Sequence, residues 1–86
     1  MKVVFSTRFV KQLAKTDSAL AEVIYEAVEK FKDTRNHKTL KVHKLKGSLK
    51  NVYAFSATYK IRVLFYYPKK GVAELVMFGP HDDTYR

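Results

Sequence analysis

The stretch KIRVLFYYPKKGVAELVMF, residues 60–78, decides the fold. Lys60–Tyr67 is rich in β-branched and aromatic residues and reads as a strand. Alternation puts Ile61, Val63 and Phe65 on one side, and Arg62, Leu64 and Tyr66 on the other. Pro68-Lys69-Lys70-Gly71 reads as a turn, because proline fixes φ and glycine accepts a positive one. Val72–Phe78 is then the second arm of a hairpin, stopped by Gly79-Pro80. A further strand, Val52–Thr58, precedes the pair.

The N-terminal half has a different period. After a short strand at Val3–Phe5, Ser6 or Thr7 can cap a helix starting near Arg8. Its inner face is Phe9, Val10, Leu13 and Ala14, with Arg8, Lys11, Gln12 and Lys15 toward water. Asp17 or Ser18 caps a second helix, in which Leu20, Val23, Ile24, Ala27, Val28 and Phe31 recur at three- and four-residue steps. The pattern breaks from Asp33 to Asn51, with a turn at Gly47-Ser48. The order β-α-α-β-β-β predicts an α+β domain over residues 1–86. A helical hairpin packs on one face of a small antiparallel sheet, and the other face is left for function.

Composition narrows the function. The 86 residues carry 17 Lys plus Arg against 8 Asp plus Glu, a net charge of +9. The excess is local: residues 34–73 hold ten basic side chains and no carboxylate. Such a cluster repels itself and calls for a polyanionic partner. At 47% hydrophobic the chain is too apolar for a disordered basic tail. No apolar run reaches the length of a membrane span. The absence of cysteine excludes disulfides and thiolate metal sites. Residues 1–10 lack a signal-peptide core, so the cytoplasm is the expected compartment.

Three constellations can carry chemistry. His43-Lys44-Leu45-Lys46-Gly47, flanked by Lys41 and Lys50, is a basic segment suited to RNA phosphates, although each lysine alone reads equally as solvated loop. Arg62 shares the non-helical face with Leu64 and Tyr66 and can brace a phosphate; it can also pair with Glu74 on the next strand. The tail from Gly79 to Arg86 supplies His81 for proton transfer and Tyr85 for stacking or proton donation. His81, Asp82 and Asp83 are adjacent and cannot all converge on one ion, so no metal or other cofactor is expected.

In order and spacing, these residues resemble the RelE/ParE toxin superfamily of toxin–antitoxin systems. The resemblance runs through Phe9, Lys11 and Leu13, the long helix, and His43-Lys44-Leu45-Lys46-Gly47-Ser48. It continues through Arg62-Val63-Leu64-Phe65-Tyr66 and the closing Gly79-Pro80-His81-Asp82-Asp83-Thr84-Tyr85, which is similar to the YafQ-like branch. It implies metal-independent, ribosome-dependent cleavage of mRNA in the ribosomal A site by 2′-OH attack. By position, it makes His81 an acid or base, Tyr85 the terminal aromatic and Arg62 a transition-state clamp. His43, Lys44 and Lys46 fall in the variable catalytic loop. The chain departs from the family in lacking the first-strand histidine and aspartate of the YafQ-like branch and the glutamate base of the YoeB branch. His43 is the first choice of general base, Lys44 or Lys46 the second. Pro80 replaces the usual threonine before His81. The implied partner is an antitoxin with an acidic, partly disordered segment that folds over the basic surface. Two other readings share the basic region: a ParE-like inhibitor of DNA gyrase and a non-catalytic RNA- or ribosome-binding module.

Overall fold

The computed structural model describes residues 1–47 and 51–80. Lys50, His81 and Tyr85 lie outside the described residues, as does the turn position Ser48. The elements run β1 (Lys2–Phe5), α1 (Thr7–Ala14), α2 (Ser18–Phe31), a 3₁₀ turn (Thr34–Asn36), β2 (His43–Lys44), β3 (Tyr53–Ser56), β4 (Ile61–Lys69) and β5 (Val72–Pro80). The five strands form one sheet in the order β1-β5-β4-β3-β2. The α+β architecture is therefore as read from the sequence, with two differences. β1 runs parallel to β5 while the other ladders are antiparallel, because β1 rejoins the sheet across the whole helical hairpin. β2 is an additional edge strand of two residues, too short for any periodicity to announce it.

Both helices start on side-chain caps. The Ser6 hydroxyl accepts from the Phe9 N–H, and the Asp17 carboxylate accepts from those of Ala19 and Leu20. Phe9 and Leu13 of α1 are buried, as are Ile24, Ala27, Val28 and Phe31 of α2. They pack on Phe55, Val63, Phe65, Ala73, Leu75 and Phe78 of the sheet. Phe31 is the centre: it stacks on Phe55 at 4.3 Å and meets Phe65 edge-on at 4.7 Å. His37 stacks on Phe31 at 4.8 Å, and its Nε2–H donates to the Phe31 carbonyl.

Four inner-face assignments change. Val10, Ala14 and Val23 are exposed, whereas Gln12 turns inward. The reason for Gln12 is the edge of β5. β1 pairs only as far as Leu75, which leaves residues 76–78 of β5 without a strand on that side. Side chains fill the gap. The Ser6 hydroxyl donates to the Val76 carbonyl at 2.9 Å. The Gln12 amide donates to the Phe78 carbonyl at 2.8 Å and accepts from the Phe78 N–H at 3.0 Å. An unpaired strand edge at this depth would otherwise leave polar backbone groups unsatisfied.

The hairpin is also more irregular than its sequence suggests. The expected four-residue turn is a two-residue one, Lys70-Gly71, with Gly71 at φ 79. Pro68 lies within β4, at a bulge where Tyr67 and Pro68 face one residue of β5. A residue without an N–H is tolerated there because the ladder is already interrupted. A second irregularity leaves Val76 unpaired between Leu64–Met77 and Phe65–Leu75. One extra residue resets the alternation. Leu75 and Phe78 both enter the helix-side core, and Met77 moves to the outer face. β5 continues past Gly79 to Pro80, which pairs with Ile61.

Two substitutions probe this packing. Phe31→Ala should lower unfolding free energy by about 3–5 kcal/mol through the cavity it opens. Gln12→Leu should cost about 1–3 kcal/mol by orphaning the Phe78 backbone groups. Urea denaturation reads both; an unchanged midpoint for Gln12→Leu would show that the clamp contributes nothing.

Candidate functional site

The outer face of the sheet is divided. Leu45 from the segment after β2 covers Ala54 and Leu64, with Val52 and Met77 at the margin, so this end carries a small apolar cluster. The face expected to be wholly available is therefore half occupied. The other half is centred on Arg62. In the register Arg62 stands between Ser56 on β3 and Gly79 on β5. A glycine on one flank leaves the long side chain room, and a serine on the other holds it.

Arg62 is half-buried and its guanidinium donates to the Ser56 hydroxyl. Its Nε is buried with no partner among the described residues. The expected alternative, pairing with Glu74, is not seen, because the register sets Glu74 opposite Tyr66. Among the described residues the ion pairs are Lys32–Glu29 and Arg35–Asp33, far along the chain from Arg62. Arg35 holds the Asp33 carboxyl down at about 2 through its side-chain hydrogen bond. Among the described residues, Arg62 thus keeps a half-buried positive charge met by one neutral hydroxyl. Such a charge is costly unless an anion joins it.

Ser56 links Arg62 to the basic segment. Its N–H donates to the Leu40 carbonyl at 2.8 Å, tying β3 to the turn that leads into β2. The next residue, Lys41, takes a left-handed conformation with φ 58. This costs a non-glycine residue roughly 1–2 kcal/mol, and such strain gathers at functional positions. The Lys41 carbonyl meets His43 Nδ1 at 2.8 Å. A carbonyl can only accept, so Nδ1 carries the hydrogen. In the neutral ring the basic lone pair is then on Nε2, the form a general base requires. His43 pairs with Ala54 and so shares the outer face with Arg62. Their Cα atoms are two strands and two residues apart, about 12 Å at ordinary sheet spacings.

Lys44 and Lys46 are exposed and, with His43 and Leu45, line a concavity of about 300 Å³. Lys44 pairs with Tyr53, a position on the helix side of the ladder, so His43 and Lys44 diverge as alternation requires. A larger concavity of about 440 Å³ lies along α1 between Thr7, Arg8, Lys11, Gln12 and Lys15. It is basic, but it belongs to the helix layer and not to the face bearing Arg62. Among the described residues no three His, Asp or Glu side chains come together. No helix among them is long and apolar enough to cross a membrane. Sequence reading missed Ser56, and no signal marked it: its role depends on a register that only the folded sheet supplies.

Tyr66 and Glu74 complete the face. Desolvation, together with the hydrogen bond and charge of Glu74, raises the Tyr66 phenol above its ordinary value of 10.0. Tyr66 is therefore a neutral donor at physiological pH and not a base. The folded state holds this proton more tightly than the unfolded chain does. The associated stability is complete below about pH 10 and is lost as pH rises through the raised value. In an alkaline titration of phenolate absorbance, Glu74→Gln should move one late-ionising tyrosine back toward 10, and Tyr66→Phe should remove it. Identical titration curves for parent and Glu74→Gln would contradict this pairing.

In sequence the chain matches no protein-family model and no curated relative. In structure it is similar to toxins of toxin–antitoxin systems. A chain of an archaeal RelE–RelB complex from Pyrococcus horikoshii OT3 matches with a TM-score of 0.67 at 19% identity, covering 92% of each chain. A YoeB/ParE toxin from Agrobacterium tumefaciens matches at 0.64 and 21%, over 94% of this chain and 99% of that one. A chain of the intact Escherichia coli RelBE toxin–antitoxin complex matches at 0.67 and 17%, over 92% and 94%. The described architecture is the fold of the RelE/ParE toxins.

Proposed function

We propose that this chain is the toxin of a type II toxin–antitoxin system and a ribosome-dependent mRNA endonuclease that arrests translation. The observation that carries the reading is Arg62, a half-buried guanidinium held by Ser56 with no carboxylate partner among the described residues. A purely structural arginine in a sheet would be neutralised by an acidic neighbour or would extend into water. This one is held ready for an anion, and residues 34–73, which supply Arg62, Ser56 and the basic segment, contain no acidic residue.

The chemistry asks for three groups. A base takes the proton of the 2′-OH, and the 2′-oxygen forms a bond to the adjacent phosphorus. The bond from phosphorus to the 5′-oxygen breaks, and an acid protonates that oxygen. The products are a 2′,3′-cyclic phosphate and a 5′-hydroxyl. Negative charge grows on the phosphoryl oxygens between these events, and Arg62 is assigned to stabilise it. His43, with its Nδ1–H fixed on the Lys41 carbonyl, is assigned as the base. Lys41 and Lys46 are assigned to neighbouring phosphates, and Lys44, which diverges from His43, to a phosphate farther along the RNA. His81 is assigned as the acid and Tyr85 as the aromatic that orients the substrate. No metal takes part in this scheme, and the cytoplasm is the compartment that offers the substrate.

The gyrase-inhibitor reading needs the same fold but no charge clamp. The arrangement around Arg62 favours the nuclease. The similar structures from Pyrococcus horikoshii and Escherichia coli are complexes of RelE with RelB, which supports an antitoxin as the protein partner here. The basic surface suits an acidic segment that folds on binding.

Arg62→Ala should lower the cleavage rate by about 10²–10³-fold and abolish growth arrest, while the protein keeps its melting temperature. His81→Ala should likewise remove activity. Primer extension on mRNA from expressing cells reads the cuts. If both variants stay fully toxic, or if DNA supercoiling responds and mRNA stays intact, the assignment fails.

A further inference from the structure

One feature of the outer face is used neither by the core nor by the scheme above: the tip of the β3–β4 hairpin. Tyr59 is 80% exposed, the most exposed large apolar side chain among the described residues. Its backbone is nevertheless fixed. The Thr58 hydroxyl accepts from the N–H groups of both Lys60 and Ile61, each at 3.1 Å. The Ala57 N–H donates to the Ile61 carbonyl at 2.9 Å and closes the loop. The rung directly behind that closure is Ser56–Arg62. Arg62 is three residue steps from Tyr59, at most about 11 Å of chain.

The surroundings of the ring are as specific as its position. Lys60 Nζ sits 5.7 Å from the ring centroid, a cation over one face. An aromatic side chain held in water on a rigid turn, with a cation beside it, gains nothing for folding. It does match the pair of contacts by which proteins hold single-stranded nucleic acid, a flat ring for a base and a cation for the flanking phosphate.

We propose that Tyr59 is a base-stacking platform, with Lys60 as its phosphate contact, for a nucleotide flanking the phosphate at Arg62. The proposal rests on the nuclease reading and adds a substrate-binding residue to it. Stacking acts on bound substrate and transition state alike, so it governs affinity and leaves the chemical step alone. The ring serves any base, because every base offers a π-face. Tyr59 and Lys60 therefore bind without setting the cleavage sequence.

The test is single-turnover cleavage of a defined mRNA on programmed ribosomes, followed as a function of protein concentration. For Tyr59→Ala the half-saturating concentration should rise about 5- to 150-fold, the equivalent of about 1–3 kcal/mol of stacking. Its rate at saturation should stay within twofold of the parent. Tyr59→Phe keeps the ring and should behave as the parent, whereas Arg62→Ala should lose the saturating rate. Because Tyr59 is exposed, the alanine variant should melt with the parent, which separates loss of binding from loss of fold. If the parent cleaves and Tyr59→Ala saturates at the same concentration, the platform is wrong and the nuclease reading stands. If Tyr59→Ala cleaves normally but loses a co-purifying protein partner, the ring is a protein contact and the proposal is overturned. If the parent itself does not cleave, the nuclease reading falls and the platform with it.

Discussion

The structure depends on how β5 satisfies both of its edges after its strand partner ends. β1 stops pairing at Leu75, yet β5 continues to Pro80. Ser6 and Gln12 take over as partners for Val76 and Phe78. Val76 supplies the extra residue that resets the alternation. Both halves of the molecule follow from this. Phe78 joins Leu75 in the helix-side core and meets Phe9 edge-on at 5.5 Å. On the outer face the same reset sets Gly79 opposite Arg62. An unbroken alternation would send Phe78 outward and put a side chain beside the guanidinium.

The helix layer and the outer face thus have separate tasks. Phe31 ties α2 to Phe55 and Phe65 in tight aromatic packing, and His37 closes over it. This scaffold carries little of the net charge. Beyond the helix layer lie a left-handed lysine at Lys41 and, on the outer face, a guanidinium held among the described residues by a hydroxyl. One chain of hydrogen bonds runs from Arg62 through Ser56 to Leu40, and Lys41 then holds His43. These hydrogen bonds fix three separate segments relative to one another. That is the preorganisation a charge-stabilising site requires.

The sequence was most legible where periodicity is strong. The second helix, with its cap at Asp17 or Ser18, of which the fold uses Asp17, and the division of β4 into Ile61-Val63-Phe65 and Arg62-Leu64-Tyr66 follow from local pattern. The turn was misread because Pro68 is a turn former by composition but sits here in a bulged strand. Gln12 was placed in water because polarity says nothing of an open strand edge two elements away. For the site, Arg62 and His43 could be named from alternation and chemistry, and the fold brings both to one face. Ser56 and the conformation of Lys41 were not legible, since both depend on a register between segments distant in sequence. Lys50, His81 and Tyr85 lie outside the described residues.

The Arg62 face is proposed to promote attack of an RNA 2′-OH on the adjacent phosphodiester. The ends it leaves on the RNA test this most directly. Fragments of ribosome-bound mRNA treated with the purified protein should carry a 2′,3′-cyclic phosphate upstream of the cut and a 5′-hydroxyl downstream. A single 2′-deoxy substitution at the nucleotide before the cut should block cleavage there. Fragments with a 3′-hydroxyl and a 5′-phosphate, or undiminished cutting at the 2′-deoxy position, would contradict the account.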